Sequence, residues 1–203
     1  MPIPNTVIHP VLIADLCPTQ MTVGYREVEN KRANWRKMTG DKASKYLTSH
    51  MIPILLGPRD KLYISDHHHL ARALAEEGQK EIFVLPIADL SALQPDHFWT
   101  YLDNRGWLYL YDATGNRREH SDLPKSVMEM ADDPYRSLAG ELRRQGGFAK
   151  DLTPYSEFLW ADALRRTVKQ KTLDADFGKA MKEATQFAKS KAANFLPGWC
   201  APD

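Results

Sequence analysis

Cysteine is nearly absent from this chain: it occurs twice, as Cys17 and Cys200, near opposite ends. With no CxxC spacing, that excludes a disulfide framework and a zinc knuckle and leaves free thiols of a reducing compartment. Excess charge is missing too. Lys and Arg total 27 against 26 Asp and Glu, a net charge of +1. Such a balance gives no support to a strongly basic nucleic-acid binder, although a local basic face stays open. No apolar run is long enough to span a bilayer. The opening stretch, MPIPNTVIHPVLIADL, has no basic n-region, no continuous apolar core and no small-residue cleavage site. Internal repeats, low-complexity segments and flexible linkers are also lacking. The expectation is a soluble, cytoplasmic protein without a membrane partner.

What is present suffices for a packed core. The 203 residues are 43% hydrophobic and 10% aromatic, enough for one substantial domain with a helical extension. Val7 to Leu16 reads as a strand entry broken by Pro10. Thr22 to Glu29 partly alternates, and Asp41 opens a short helix to about Ser49. Ile54–Leu56 and Leu62–Ile64 flank the turn Gly57-Pro58-Arg59-Asp60 and predict a hairpin. Glu81 to Ile87 is a buried strand with Pro86 placing its end near a sheet edge. Asp96 to Tyr101 is a short helix, and Trp107 to Tyr111 a strand entering the turn at 112–116. From about Leu123 the pattern turns helical. Asp133-Pro134 starts one helix that stops at Gly146-Gly147; Pro154 to Lys169 and Asp176 to Ala193 predict two more. The fold class is therefore α/β (α+β), with a mixed unit over residues 1–120 and a helical cap over 121–203 packed on it.

The chain is organised around Lys61 to Gly78, KLYISDHHHLARALAEEG. A short β-prone run meets Ser65-Asp66, both good helix caps, with Asp66 the expected N-cap. Leu70, Ala73, Leu74 and Glu77 then follow at helical spacing, and Gly78 stops the helix. A strand turning sharply into a helix leaves its first N–H groups unpaired, and such a point attracts anions, phosphate above all. Three consecutive histidines, His67, His68 and His69, stand there.

The segment from Met51 to Leu90 resembles the ParB/sulfiredoxin superfamily. There a hairpin leads through a phosphate-facing loop into a helix and back to a strand. The loop resembles D-G-H-H-R in the small-molecule kinase branch, G-E-R-R in partition proteins and G-C-H-R in sulfiredoxins. Here it is Asp66-His67-His68-His69-Leu70, most similar to the D-H-H-H-L-A run of the ParB-like nuclease branch. Pro18-Thr19-Gln20, Val23-Gly24-Tyr25 with Glu27-Val28, Phe98-Trp99 and Phe158 to Asp162 are similar to that branch as well. The loop has no cysteine for sulfiredoxin chemistry. The Arg pair of partition proteins is replaced by His, and Leu70 stands where the kinase motif has Arg. The resemblance implies the fold and a phosphate-facing loop, and by its kinase branch an acid that accepts a substrate hydroxyl's proton, for which Glu27 is the candidate.

Several functional assignments follow as expectations. His67, His68 and His69 bind phosphate, with Arg72 and Lys45 as further cations, and His68, His69, Asp66 and Glu27 are the catalytic candidates. Adjacent helical positions point about 100° apart, so three histidines in a row do not form a zinc triad by themselves. A metal would need added ligands such as Asp15, His50 or Asp112, or would arrive as Mg²⁺ with a nucleotide. Phe98, Trp99, Trp107, Phe158 and Trp160 read mostly as core. Arg143-Arg144 and Arg165-Arg166 with Lys169 read as solvated helix faces. The leading expectation is binding of a phosphate-containing small molecule or nucleotide, with phosphoryl transfer or phosphodiester hydrolysis at the junction. The alternatives are a metal-dependent nuclease on DNA or RNA, and a non-catalytic module binding a protein partner or a second copy of the chain.

Overall fold

A computed structural model describes residues 10–200. Seven strands are described: β1 Pro10–Leu12, β2 Leu16–Cys17, β3 Thr22–Val23, β4 Ile52–Leu56, β5 Leu62–Ile64, β6 Glu81–Asp89 and β7 Ala131–Asp132. The helices are α1 Tyr25–Trp35, α2 Asp41–Ser49, α3 His68–Glu76, α4 Pro95–Asn104, α5 Pro134–Arg144, α6 Ser156–Thr167, α7 Gln170–Ala175 and α8 Phe177–Ala188. Five strands form one mixed sheet in the order β1-β6-β4-β5-β2. The β4–β5 hairpin pairs Ile54 with Ile64 and Leu56 with Leu62, as the turn chemistry predicts. From β5 the chain passes through α3 into β6, which lies parallel to β4.

Both faces of this sheet are covered by helices of matching period. Ile52, Ile54, Ile64, Ile82 and Val84 meet Leu70, Ala71 and Leu74 of α3 and Val28 of α1 on one side. Leu55 and Tyr63 meet Phe98 and Leu102 of α4 on the other. A third core joins α5, α6 and α8 around Leu138, Leu142, Leu164 and Met181, with Trp160 stacked on Phe148 at 4.2 Å. The short parallel pair β3–β7 and the buried Val127 and Met130 tie the segment before α5 into the first core. No helix among the described residues is long and apolar enough to cross a membrane. Cys17 and Cys200 are both free thiols.

The structure departs from the sequence reading in places with clear causes. The stretch from Tyr25 is helix, not the continuation of an alternating strand. Only Val28 of α1 is buried, so the apolar period is faint, while ion pairs of Arg32 with Glu76 and Glu77 and of Arg36 with Glu77 join the helix to the end of α3. Trp107 to Tyr111 forms isolated bridges rather than a strand. The β6 strand runs past Pro86 to Asp89. Pro86 pairs with Ile54 of β4 beside a register shift, where the ladder is already interrupted. Part of the strand expected from Val7 falls outside the described residues.

Candidate functional site

The junction between β5 and α3 is tighter than a capped helix start. Asp66 Oδ1 accepts the His67 N–H at 2.6 Å, and His67 (φ 67°, ψ 23°) takes the N-cap position in the left-handed region. The expected N-cap, Asp66, is thus one residue early. A non-glycine residue there is uncommon and marks a turn imposed by its surroundings. Leu70 and Ala71 are the first to bond back, both to the His67 carbonyl. The amides of His68 and His69 precede the first intrahelical bonds and remain at the positive end of the helix.

His68 and His69 turn inward and are almost fully buried. His68 Nε2 accepts the backbone N–H of Thr19 at 3.1 Å, and His69 Nε2 accepts that of Gly24 at 2.9 Å. An amide N–H only donates, so both Nε2 atoms carry lone pairs and both rings are neutral with the proton on Nδ1. Burial, with the charges of His69 and His67, lowers His68 to about 3. Burial and the Arg136 guanidinium lower His69 to about 3 as well, against the opposing charge of Glu27. Among the described residues no group takes up either Nδ1–H. Gly24 is needed for this arrangement: a Cβ there would stand 2.7 Å from Ser137 Oγ on α5.

Both rings line a cavity of about 630 Å³ bounded by the starts of α3 and α6, by α1 and α5, and by Trp107. Glu27 and Lys31 enter from α1, Arg136 and Arg143 from α5, and Tyr155, Ser156 and Glu157 from α6. Lys150 and Arg105 add two more cations to its wall. Burial would raise Glu27, but the charges of His69, Arg136 and Lys31 outweigh it and bring the carboxyl to about 2. At neutral pH, where His69 is uncharged, Arg136 and Lys31 do this work. A larger cavity of about 890 Å³ between α1, α5 and α8 is lined by Arg26, Phe177 and Met181 and brings no converging chemistry together.

Sequence reasoning placed five of the seven proposed residues here: Glu27, Asp66, His67, His68 and His69. Arg72 and Lys45 are elsewhere. Lys45 is exposed on α2, away from the cavity. Arg72 is buried and donates to the carbonyls of Val127 and Met130 at 3.1 and 2.8 Å and to Glu76 at 2.6 Å, fastening α3 to the segment before β7. Arg72→Ala is expected to cost roughly 2–4 kcal/mol, because two buried carbonyls lose their donor, while ligand affinity stays unchanged; urea unfolding beside a binding titration checks both. The basic pairs on the cap are ion-paired: Arg144 with Glu141, Arg165 with Asp133, Arg166 with Asp162, and Arg143 with Glu157. Trp160, Phe98 and Phe158 are core as expected, with Phe158 also reaching the cavity wall.

Asp15, His50 and Asp112 do not line this cavity, and no three His, Cys, Asp or Glu side chains among the described residues could hold a metal ion. The lone pairs a metal would take from His68 and His69 are occupied by backbone amides. The donor set therefore does not fit a protein-held metal.

Sequence reasoning missed Arg136, Tyr155, Ser156 and Glu157. Arg136 had no distinguishing signal beyond a lone cation on an apolar helix face.

A strand turning through a left-handed residue into a helix start, with polar groups converging on a cavity beside it, defines an α/β protein whose strand–loop–helix junction faces that cavity. The family model described as "Putative ParB-like nuclease" matches residues 9–166, and the chain belongs to that family. It is similar to protein Atu1540 from Agrobacterium tumefaciens, a crystal structure with 43% identity and a TM-score of 0.90 over 98% of this chain and 100% of that one. No curated protein matches the chain.

Proposed function

We propose that this protein binds a phosphate-containing small molecule, a nucleotide in the first instance, at the start of α3 and acts there on a phosphoryl or phosphodiester bond. One observation carries the reading: two neutral imidazoles, each with Nε2 held by a backbone amide and Nδ1–H left as donor, beside the first amides of the helix. Neutral donors and a helix N-terminus attract an anion without keeping a buried cation unpaired. An imidazole with its lone pair engaged and a pKa near 3 moves no proton near pH 7. In this reading His68 and His69 stabilise charge on phosphoryl oxygens rather than act as acid or base. Glu27, ionised down to about pH 2, is a weak base and serves to hold Arg136 and Lys31. Mg²⁺ enters as the ion a nucleotide carries on its own phosphates.

Calorimetric titration with ATP, ADP and CTP tests this. Saturable binding is expected, weakened at least about tenfold in His68→Ala/His69→Ala by loss of two hydrogen bonds to a charged group, with circular dichroism confirming the fold. No heat with any of the three, or equal affinity in the variant, removes the reading. The family description favours a second form of the same chemistry, a nuclease on DNA or RNA. That form requires strand cleavage abolished by the same two substitutions.

A further inference from the structure

We infer that the helical cap supplies a second anion subsite in the same cavity, so that the ligand carries two linked phosphates, one at each helix start; this rests on the phosphate reading above. Helix α6 begins on the cavity as α3 does, again after a non-glycine residue in the left-handed region, Tyr155 (φ 59°, ψ 28°). Phe158 and Leu159 are the first residues to bond back, to the Tyr155 carbonyl, while the Ser156 amide is taken by Thr153. The two helix starts are neighbours: the negative charge of Asp66 helps push the Tyr155 phenol up, after burial.

A helix start alone is not a site, but here two buried polar atoms lack partners. The Arg136 side chain is only 8% exposed, and its Nε has no hydrogen-bond acceptor. Its guanidinium faces the first turn of α6, 3.6 Å from Glu157 Oε2 and 5.2 Å over the Phe158 ring, with Glu27 Oε2 at 3.5 Å on the other side. Those contacts are long for a charge-assisted pair, which closes to nearer 2.8 Å when nothing else is required of it. Gly140 makes the room, since a Cβ there would stand 3.1 Å from Arg136 Nη1. The second is the hydroxyl oxygen of Tyr155, a residue of the same cavity wall, and it is buried without a partner. A buried cation held loosely between two carboxylates, beside an idle phenol and a helix N-terminus, is a place prepared for anionic oxygens.

A monophosphate reaches one helix start; a diphosphate spans both. Pyrophosphate and ADP are therefore expected to bind at least about tenfold more tightly than inorganic phosphate and AMP. Tyr155→Phe should abolish that advantage while leaving monophosphate affinity within about twofold, and Arg136→Met should abolish it as well. Tyr155→Phe removes one oxygen that has no partner in the free protein, so it is expected to fold and to keep the comparison available should Arg136→Met not. Its free form should be at least as resistant to urea as the parent. Equal affinity for mono- and diphosphates, or an advantage that survives Tyr155→Phe, overturns this inference and leaves phosphate binding at α3 standing. Absence of binding by every phosphate removes both.

Discussion

Moving this protein from pH 7 to pH 5 is expected to remove about 4 kcal/mol of folding stability, roughly 2 from each of two buried histidines. His68 and His69 are lowered to about 3 in the fold against 6.5 for a free histidine side chain. Between those values the unfolded chain takes up two protons that the native protein refuses, so stability falls as pH falls. The loss begins near pH 6.5 and stops growing near pH 3, where the folded rings protonate as well. Glu27 acts in the same sense at lower pH. Its folded value of about 2 lies below 4.5, so its contribution is complete above pH 4.5 and lost on the way down to 2. An onset at 6.5 therefore belongs to the histidines. Against a typical total of about 5–15 kcal/mol, the loss is large. Urea unfolding followed by tryptophan fluorescence at pH 7, 6 and 5 measures it. His68→Gln/His69→Gln, whose side-chain carbonyls can accept the Thr19 and Gly24 amides without titrating, should flatten the curve over that range. A wild-type midpoint unchanged from pH 7 to 5 would contradict the tautomers on which the site reading rests.

The second large effect is expected at Asp133, where the cap meets the β3–β7 pair. Its Oδ1 accepts the amides of Tyr135 and Arg136 at 2.9 and 3.1 Å, capping α5, while Oδ2 takes Arg165 at 2.8 Å. Its own amide donates to Val23, at the end of β3. Burial pushes its carboxyl up and the Arg165 guanidinium opposes that. Asp133→Ala removes a helix cap and strands a mostly buried guanidinium, at an expected cost of about 3–5 kcal/mol. Asp133→Asn keeps the acceptor and loses only the charge, so it should cost about half as much. Chemical unfolding of both variants separates cap from ion pair, and near-equal losses would show that the charge carries the whole effect. Because Arg136 sits in the first turn of α5, both variants should also weaken diphosphate binding more than monophosphate binding.

Much of the fold was legible from local pattern because the signals are local. A Gly-Pro turn between two short apolar runs makes a hairpin. Asp-Pro begins α5, and Gly78 and Gly146 end helices at left-handed positions with φ 77° and 80°. The helix α1 was hidden because Val28 is its only buried residue, so it carries no apolar stripe at helical spacing. Arg72, with the look of an anion ligand at a helix start, became a structural tie because the segment around Val127 to Met130 folds back over α3 and presents two carbonyls that need donors.

By itself the sequence determined that a strand turns into a helix at Asp66–His69 and that polar, titratable groups collect there. What those groups can do was decided by residues far away along the chain. The proton position on each imidazole is set by backbone amides 49 and 45 residues distant. The opposite wall of the cavity comes from α5 and α6. Secondary structure follows from interactions within a few residues, which a reader of the sequence can see. Tautomers, orphaned donors and pKa shifts follow from burial and from whichever group the closed fold brings alongside, and those exist only once the chain has folded.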